Sequence, residues 1–339
     1  MNLSNKNPII TILVFLILIS LGWWGSDTYK NYLNNKDLGL PAWTKPKPLE
    51  KYTIENLSRT KFKPSKININ NNIFDFQVDN PPYGEVKKVT GLINLPETNG
   101  KSPIIILIRG YVDQSIYQTG DGTKRVGEYF KDKGYITLAP DFLGYGGSDS
   151  ESANIFESRF QTYTTILTLL KSIEENPPQG WDKKNIFIWA HSNGGQIALT
   201  VLEVLGISNP DLIGATVLWA PVTEDFPYSI LFYTNESDDR GKFIRHELSK
   251  FEKDYDTDKF SLTSYLDRIN TPIEYHWGTN DDAISSEWRD RFIKQMKSLN
   301  KDFKNYNHPG ADHNMNPLWG EVIYQGLNFF NSNLQKTSN

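Results

Sequence analysis

A serine at the end of an apolar run is the residue in this sequence with the clearest potential for chemistry. Ser192 follows the run 186–190, which has the composition of a buried strand, and a helical pattern begins at Gln196. Apolar side chains recur in this pattern at the three- and four-residue spacing of a buried helix face, at Ile197, Ala198, Val201, Leu202 and Leu205. Gly206 is expected to end the helix. A hydroxyl at such a turn would lie at a helix N-terminus, where backbone N–H groups stabilise negative charge. The residues thus predict nucleophilic chemistry at Ser192, with a strand-to-helix turn of no catalytic role as the alternative.

A nucleophilic serine needs partners elsewhere in the chain. Its hydroxyl is a weak nucleophile at neutral pH, so a neutral imidazole must take its proton and a carboxylate must orient that imidazole. The five histidines show no paired metal-ligand spacing and cysteine is absent, so neither a metal nor another cofactor is expected.

The segments around Ser192 predict an α/β fold. Apolar strand patterns alternate with helical stripes from residue 74 to residue 330, which indicates a mostly parallel sheet covered by helices on both faces. Ligands of such sheets bind at the carboxyl ends of the strands. The predicted strands are 74–78, 86–95, 103–108, 135–139, 186–190, 215–219, 273–277 and 303–306, and the predicted helical stripes are 160–173, 288–299 and 322–330.

An insert interrupts this alternation between Pro221 and Thr271. About fifty residues stand where a simple connection needs far fewer. The insert is interpreted as a lid or cap whose aromatic side chains line a substrate cleft. The alternative is a helical excursion whose aromatics pack onto the domain. The aromatics are Phe226, Tyr228, Phe232 and Tyr233.

The composition excludes some partners. The chain has 339 residues and a net charge of −4, with acidic and basic residues interspersed and no basic stripe, so nucleic acid is not an expected partner. The absence of cysteine does not decide the compartment. Nothing in the sequence indicates an oligomeric state.

The N-terminus carries the evidence on location. Residues 8–24 are almost wholly apolar, and sixteen residues from Ile9 would form a helix of about 24 Å, somewhat shorter than a bilayer core. Lys6 precedes the segment, which predicts a cytoplasmic N-terminus and an extracytoplasmic remainder. Residues 1–25 are therefore interpreted as a membrane anchor, with a cleaved signal peptide as the alternative, and the membrane as a partner. A buried helix of the domain is the third possibility.

Several motifs resemble those of the α/β-hydrolase superfamily. The run Ala190-His191-Ser192-Asn193-Gly194 resembles the nucleophile elbow G-x-S-x-G, with Ala190 in place of the first glycine. In that fold the acid and the histidine follow the serine in this order. The run Gly278-Thr279-Asn280-Asp281 resembles the G-T-x-D motif that carries the acid. The resemblance implies Asp281, with Asp282 as the adjacent rival and a simple turn as the alternative.

The histidine is implied by the segment 308–314, His-Pro-Gly-Ala-Asp-His-Asn, which resembles the pattern Y-P-G-A-D-H-x. The resemblance implies His313 as the base, with His308 in the tyrosine position. His191 is expected to pack away from the nucleophile, and His276 to lie in the core of its strand. His246 lies in the insert and has no assigned role.

Two backbone amides are implied as the oxyanion hole. One belongs to Asn193, directly after the serine, and the other to Tyr111 in the loop that follows Ile108. Arg109 stands where the family has a histidine. Its guanidinium is expected to form a surface salt bridge or to meet a substrate carboxylate.

The motifs together resemble the catalytic domain of prolyl oligopeptidase-like serine peptidases. The run 139–148, Ala-Pro-Asp-Phe-Leu-Gly-Tyr-Gly-Gly-Ser, is similar to that family's A-P-D-x-x-G-x-G-x-S loop, and 264–272 resembles its lead into the acid-bearing strand. The resemblance implies an α/β-hydrolase domain over 67–335 with the insert 221–271, preceded by a polar tether or packing arm over 26–66. It implies a serine hydrolase that cleaves peptide bonds through an acyl-enzyme. A carboxylesterase of the same fold and a non-catalytic binding protein are the alternatives.

Overall fold

A nine-stranded sheet forms the centre of the computed structural model, which describes residues 46–79, 84–234 and 237–335. The strands lie in the order β1-β2-β3-β5-β4-β6-β7-β8-β9. Strands β1 to β3 and the β3–β5 pair are antiparallel, and the pairs from β5 through β4 to β9 are parallel. The strands are β1 Asn68–Asn70, β2 Ile73–Asp79, β3 Val86–Asn94, β4 Ser102–Ile108, β5 Ile136–Pro140, β6 Trp181–His191, β7 Ala215–Trp219, β8 Ile273–Gly278 and β9 Phe303–His308.

Helices cover both faces of the sheet. Strand β4 shows why, since Ile104, Ile106 and Ile108 belong to one buried cluster while Ile105 and Leu107 belong to the other. Helices α3 and α4 pack on the first face, and α2 and α8 on the second. The helices in the described ranges are α1 Ile54–Arg59, α2 Lys124–Lys131, α3 Ile155–Glu175, α4 Asn193–Ser208, α5 Tyr228–Tyr233, α6 Lys242–Asp254, α7 Ser286–Ser298 and α8 Trp319–Ser332.

The register of the parallel strands brings their carboxyl ends to one edge. Ile108 of β4 pairs with Ala190 of β6, and Trp219 of β7 pairs with both His191 and His276. Because these ends lie side by side, the loops that follow β4, β6, β8 and β9 emerge next to one another. These are the loops that carry the predicted site residues. The mostly parallel sheet predicted from the sequence is thus confirmed.

Gly206 does not end its helix, so that expectation is wrong. Helix α4 continues to Ser208. A Cβ at Gly206 would lie 1.9 Å from the backbone oxygen of Arg268. The glycine permits close packing of α4 against the end of the insert rather than a C-cap.

The insert is largely helical, and of its four named aromatics Phe226 is buried while Tyr228, Phe232 and Tyr233 are exposed. It contains α5 and α6, and the Phe226 side chain is buried against Phe156 and Phe160 of α3 and against Phe251 of α6. The ring centroid of Phe232 lies 4.5 Å from that of Trp288 in α7. Phe226 therefore packs onto the domain, as the alternative interpretation of the insert expected.

The predicted N-terminal segments fall mostly outside the described ranges. The anchor over 1–25 lies outside them entirely, as does the tether from 26 to 45, and both stay predictions. Residues 49–59 lie in the compact unit Leu49–Asn339, with Leu49, Tyr52 and Leu57 buried in its core. Within the ranges that the structure describes, no helix is long and apolar enough to cross a membrane.

Candidate active site

Ser192 adopts a strained backbone conformation at the junction of β6 and α4. Its φ is 54° and its ψ is −124°, a region that non-glycine residues rarely occupy and that costs on the order of 1–3 kcal/mol. The surrounding chain holds it there, because its N–H donates to Trp219 O at 3.0 Å and its own carbonyl oxygen accepts from Val222 N at 2.9 Å. Such strain is found where a side chain must be held in a fixed position for function.

Close backbone approach explains the small residues around Ser192. A Cβ at Gly194 would lie 2.2 Å from Ile108 O and 2.6 Å from Arg109 O. A Cβ at Gly110 would lie 3.0 Å from the Cβ of Ser192. Both glycines therefore allow the start of α4 to lie directly against the loop that follows β4.

Asp281 and His313 form a hydrogen-bonded pair. Nδ1 of His313 lies 3.0 Å from each carboxylate oxygen of Asp281, whose side chain is fully buried. Asp281 Oδ1 also accepts from Ala283 N at 2.9 Å and from Ile284 N at 3.2 Å, while Asp282 is exposed. With the proton on Nδ1 donated to the carboxylate, Nε2 of neutral His313 is free to accept a proton. Of the two aspartates, the structure brings Asp281 to the histidine.

His191 connects the residue before the serine to the His313 loop. Its Nε2 lies 3.0 Å from the carbonyl oxygen of His313, and the two ring centroids are 4.6 Å apart. Burial, and then the neighbouring His313, lower the pKa of His191 to about 4, so its ring is neutral at neutral pH. The expectation that His191 packs away from the nucleophile stays a prediction, and its contact with the His313 loop is an additional finding. Its contact crosses 122 residues of sequence, and no local pattern could have indicated it.

The contact between His191 and His313 places the imidazole of residue 313 beside the Ser192 turn. In the described residues, the Ser192 hydroxyl makes no hydrogen bond to the His313 ring. Catalytic hydrogen bonds commonly tighten only when substrate is bound. The complete triad of Ser192, Asp281 and His313 therefore stays a prediction. The structure contains the hydrogen bond between Asp281 and His313.

The two amides expected to form the oxyanion hole make no hydrogen bond within the described ranges. Asn193 is the first residue of α4, where backbone N–H groups have no intrahelical acceptor. Tyr111 follows Gly110 in the adjacent loop. Neither N–H donates to another group in the part of the chain that the structure describes. Two such donors at neighbouring backbone turns suit the stabilisation of an oxyanion.

Arg109 holds the Tyr111 loop in place. Nη1 donates to Gly110 O at 2.9 Å and Nη2 to Asp141 O at 3.2 Å. The guanidinium stacks on the rings of Tyr145 and Tyr117, at 4.0 and 4.6 Å from their centroids. The residue is only 6% exposed and forms no ion pair among the described residues. The expected surface salt bridge is therefore absent there.

His276 and His308 belong to a separate buried chain of hydrogen bonds. His276 lies fully buried in β8, as expected, with Nε2 2.9 Å from Glu274 Oε1 and Nδ1 2.9 Å from His308 Nε2. Burial, followed by the nearby His276, lowers the pKa of His308 to about 4. This chain joins β8 to β9 and does not contact Ser192. His246 is exposed on α6. In the described ranges, no three histidine or acidic side chains are grouped to hold a metal ion.

A cavity of about 350 Å³ lies next to the Ser192 turn, although neither Ser192 nor His313 is among the residues that line it. Both Tyr111 and Asn193 line it, and the other walls come from the loops after β4 and β5 and from the first half of α3. No described residue of the insert 221–271 lines this cavity. The expectation that the insert's aromatics line the substrate cleft stays a prediction; Phe226 packs in the core, Phe232 packs on Trp288, and the Tyr233 hydroxyl donates to Ala283 O beside the Asp281 loop.

Comparisons with known proteins agree with this architecture. The family model described as serine aminopeptidase, S33, matches residues 103–237, which is less than half of the chain. Est1E from Butyrivibrio proteoclasticus, solved with ferulic acid bound, superposes with a TM-score of 0.52 at 19% identity, covering 74% of this chain and 97% of that one. The chain has the α/β-hydrolase fold.

Two peptidases of similar structure are much longer than this chain. Acylaminoacyl peptidase from Pyrococcus horikoshii gives a TM-score of 0.55 at 16% identity, over 82% of this chain and 43% of that one. A puromycin-hydrolyzing peptidase of Mycobacterium tuberculosis gives a TM-score of 0.58 at 14% identity, covering 80% of this chain and 40% of that one. The chain thus spans less than half the length of either peptidase. None of the curated proteins matches it in sequence.

Proposed function

We propose that this α/β-hydrolase is a serine hydrolase with Ser192 as nucleophile, His313 as general base and Asp281 as the acid that orients it. The observation that carries the proposal is the buried Asp281 carboxylate on His313 Nδ1, beside a serine held at a positive φ. A loop with a purely structural role would not require both a buried carboxylate–histidine pair and a strained serine at the same edge of the sheet.

The proposed reaction is acyl transfer. His313 Nε2 takes the hydroxyl proton as Ser192 Oγ attacks the substrate carbonyl carbon, and the amides of Tyr111 and Asn193 donate to the oxyanion. Collapse of the tetrahedral intermediate expels the leaving group, which receives the proton from His313. Water then attacks the acyl-enzyme by the same route and releases the acid. Asp281 keeps Nδ1 protonated and stabilises the imidazolium in each half of the reaction.

Peptide or amide bonds are the first candidate substrates. The match of residues 103–237 to the serine aminopeptidase family and the resemblance of the segments 139–148 and 264–272 to peptidase motifs support this choice. Carboxylic esters are the second candidate. The observation in their favour is that the chain spans nearly all of Est1E but under half of either peptidase.

A fluorophosphonate probe tests the nucleophile directly. The folded protein should become labelled, and Ser192→Ala should abolish the label and lower kcat by a factor on the order of 10⁶, because the triad acts as a unit. Aminoacyl amides and p-nitrophenyl esters, assayed side by side, then separate peptidase from esterase. A folded wild-type protein that resists the probe and cleaves neither substrate class would favour a non-catalytic binding protein.

A further inference from the structure

The cavity beside Tyr111 and Asn193 contains a guanidinium that the acyl-transfer step does not use. Arg159 lies on the second turn of α3 and is half-buried in the cavity wall. One of its terminal nitrogens donates to the neutral amide oxygen of Gln196, and its Nε is buried without a hydrogen-bond partner. Among the described residues, no carboxylate lies within ion-pairing distance of Arg159.

The acidic side chains that line the same cavity have other donors. Asp113 accepts from the N–H and hydroxyl of Ser115 at 2.8 and 2.7 Å, and these hydrogen bonds lower its pKa. Glu151 accepts from the amide of Gln114 at 2.6 Å. These donors are neutral, so both carboxylates keep their charge, but among the described residues neither forms a direct ion pair with Arg159.

The second cation of the cavity is already covered. The guanidinium of Arg109 stacks on two tyrosine rings and donates to two carbonyl oxygens of its own loops. The Nε of Arg109 is also buried without a hydrogen-bond partner, but among the described residues no aromatic ring lies over Arg159 as two do over Arg109. The cavity wall also includes the start of α4 at Asn193, whose N-terminal dipole adds positive potential. Asp113 and Glu151 also line the cavity, so its formal charges balance, but neither forms an ion pair with Arg159, and a half-buried guanidinium without a direct counter-ion favours binding of an anion.

We propose that this cavity binds an anionic group of the substrate, a carboxylate or its equivalent, through Arg159. Guanidinium groups bind carboxylates by paired, charge-assisted hydrogen bonds, which makes Arg159 a specificity-determining residue. The proposal rests on the proposed hydrolase function, because the cavity opens beside the amides assigned to the oxyanion. The anion can be carried by the acyl group or by the leaving group, and the substrates below distinguish the two.

Two matched ester pairs test the proposal. The acyl-side pair is p-nitrophenyl hemiglutarate and its neutral methyl ester, and the leaving-group pair is 4-acetoxybenzoate and its methyl ester. Charge-assisted hydrogen bonds are stronger than neutral ones, so kcat/KM should favour the anionic member of one pair by about tenfold or more, equivalent to about 1.4 kcal/mol. The pair that shows the preference identifies the side of the scissile bond that faces Arg159.

Variants connect the preference to Arg159. Arg159→Gln should reduce the ratio of anionic to neutral kcat/KM to near one, and Arg159→Lys, which keeps a cation, should retain part of it. Arg125→Gln is the matched control, because that guanidinium lies 3.7 Å from the Trp319 ring centroid and does not line the cavity. It removes the same charge and should leave the ratio unchanged.

Two outcomes overturn the proposal. One is an equal ratio in wild type and Arg159→Gln for both pairs, in protein that still cleaves esters and labels at Ser192. The other is a wild-type preference for an ester with a trimethylammonium group over its neutral counterpart, which would assign the cavity to a cation near Glu151.

Glutarate binding separates failure of this proposal from failure of the proposed function. If no ester is cleaved and Ser192 does not label, the hydrolase assignment fails, yet calorimetry can still detect the anion site. Glutarate should then bind wild type and Arg125→Gln alike, and Arg159→Gln at least about tenfold more weakly. If glutarate binds all three proteins equally, or binds none of them, the proposed anion site is contradicted.

Discussion

At the scale of single residues, the proposed mechanism depends most on the carboxylate that contacts His313. Two adjacent aspartates follow β8, and the structure separates their roles. Asp281 is buried, accepts two backbone N–H groups and contacts Nδ1 of His313, whereas Asp282 is exposed. Only the buried carboxylate can hold the imidazole tautomer that leaves Nε2 open to the serine proton.

Asp281→Asn is therefore expected to lower kcat by about 10⁴, because an amide favours the wrong tautomer and cannot stabilise the imidazolium. Steady-state hydrolysis of the better ester or amide substrate measures this loss. Asp282→Asn removes the same charge one position along and should change kcat by no more than a few-fold. Equal losses in the two variants would contradict the assignment of Asp281.

The residue types around the site were predictable from sequence, but their contacts were not. The motifs that resemble those of hydrolases indicated Ser192, Asp281 and His313 without any coordinates. His191 and Arg159 were not indicated, since His191 acts on a loop 122 residues away and Arg159 reads as one charged residue in a helix. Contacts across such distances depend on how the sheet aligns its loops, which local patterns do not encode.

At the scale of elements, the close approach of α4 to the end of β4 determines the geometry of the proposed oxyanion hole. The amides of Asn193 and Tyr111 can face one another only if the start of the helix lies against the loop after Ile108. Gly194 permits this, since its missing side chain leaves room for two backbone oxygens within 2.6 Å of where a Cβ would lie.

Gly194→Ala should destabilise the protein by about 1–3 kcal/mol, the usual cost of forcing extra volume into a packed contact, and should lower activity by displacing the Asn193 amide. Thermal unfolding and kcat/KM measure the two effects. Gly100→Ala is the control, because a Cβ there meets nothing within 4 Å. Similar unfolding temperatures for the two variants would be inconsistent with a tight α4–β4 contact.

Elements with strong apolar periodicity were the ones that the sequence predicted. Strands β4 and β7 match their predicted segments within one residue, and the predicted segment 186–190 is the buried end of β6, which begins five residues earlier at Trp181. Helix α2 was missed because it is short and highly charged, with Val126 and Phe130 as its buried apolar anchors. Its stability comes from tertiary packing rather than from a local pattern.

At the scale of the whole molecule, buried titratable groups should give folding stability a maximum between acid and neutral pH. His191 and His308 both have a folded-state pKa of about 4, below the 6.5 of an unfolded histidine. Their contribution is fully present above pH 6.5 and is lost as the pH falls towards 4. For His191, a pKa lowered from 6.5 to about 4 amounts to on the order of 3 kcal/mol.

Glu203 changes the pH dependence of folding stability in the opposite direction. It lies on α4 with both carboxylate oxygens buried and without hydrogen-bond partners in the described structure. Burial raises the pKa of Glu203 well above its usual value, so the folded protein retains a proton that the unfolded chain releases. A raised folded-state pKa contributes stability below about pH 4.5, and that contribution is lost progressively as the pH rises.

Glu203→Gln should therefore stabilise the protein at alkaline pH and change little near pH 5. The amide has the shape of the protonated acid but no proton to lose, so the gain in unfolding free energy should grow with pH. Urea unfolding of both proteins at pH 5, 6.5 and 8 measures it. Glu252→Gln, on the exposed surface of α6, controls for the change in net charge and should follow wild type. Parallel pH curves for wild type and Glu203→Gln would mean that Glu203 keeps its ordinary ionisation, with a charge compensated inside the fold by groups such as Arg268.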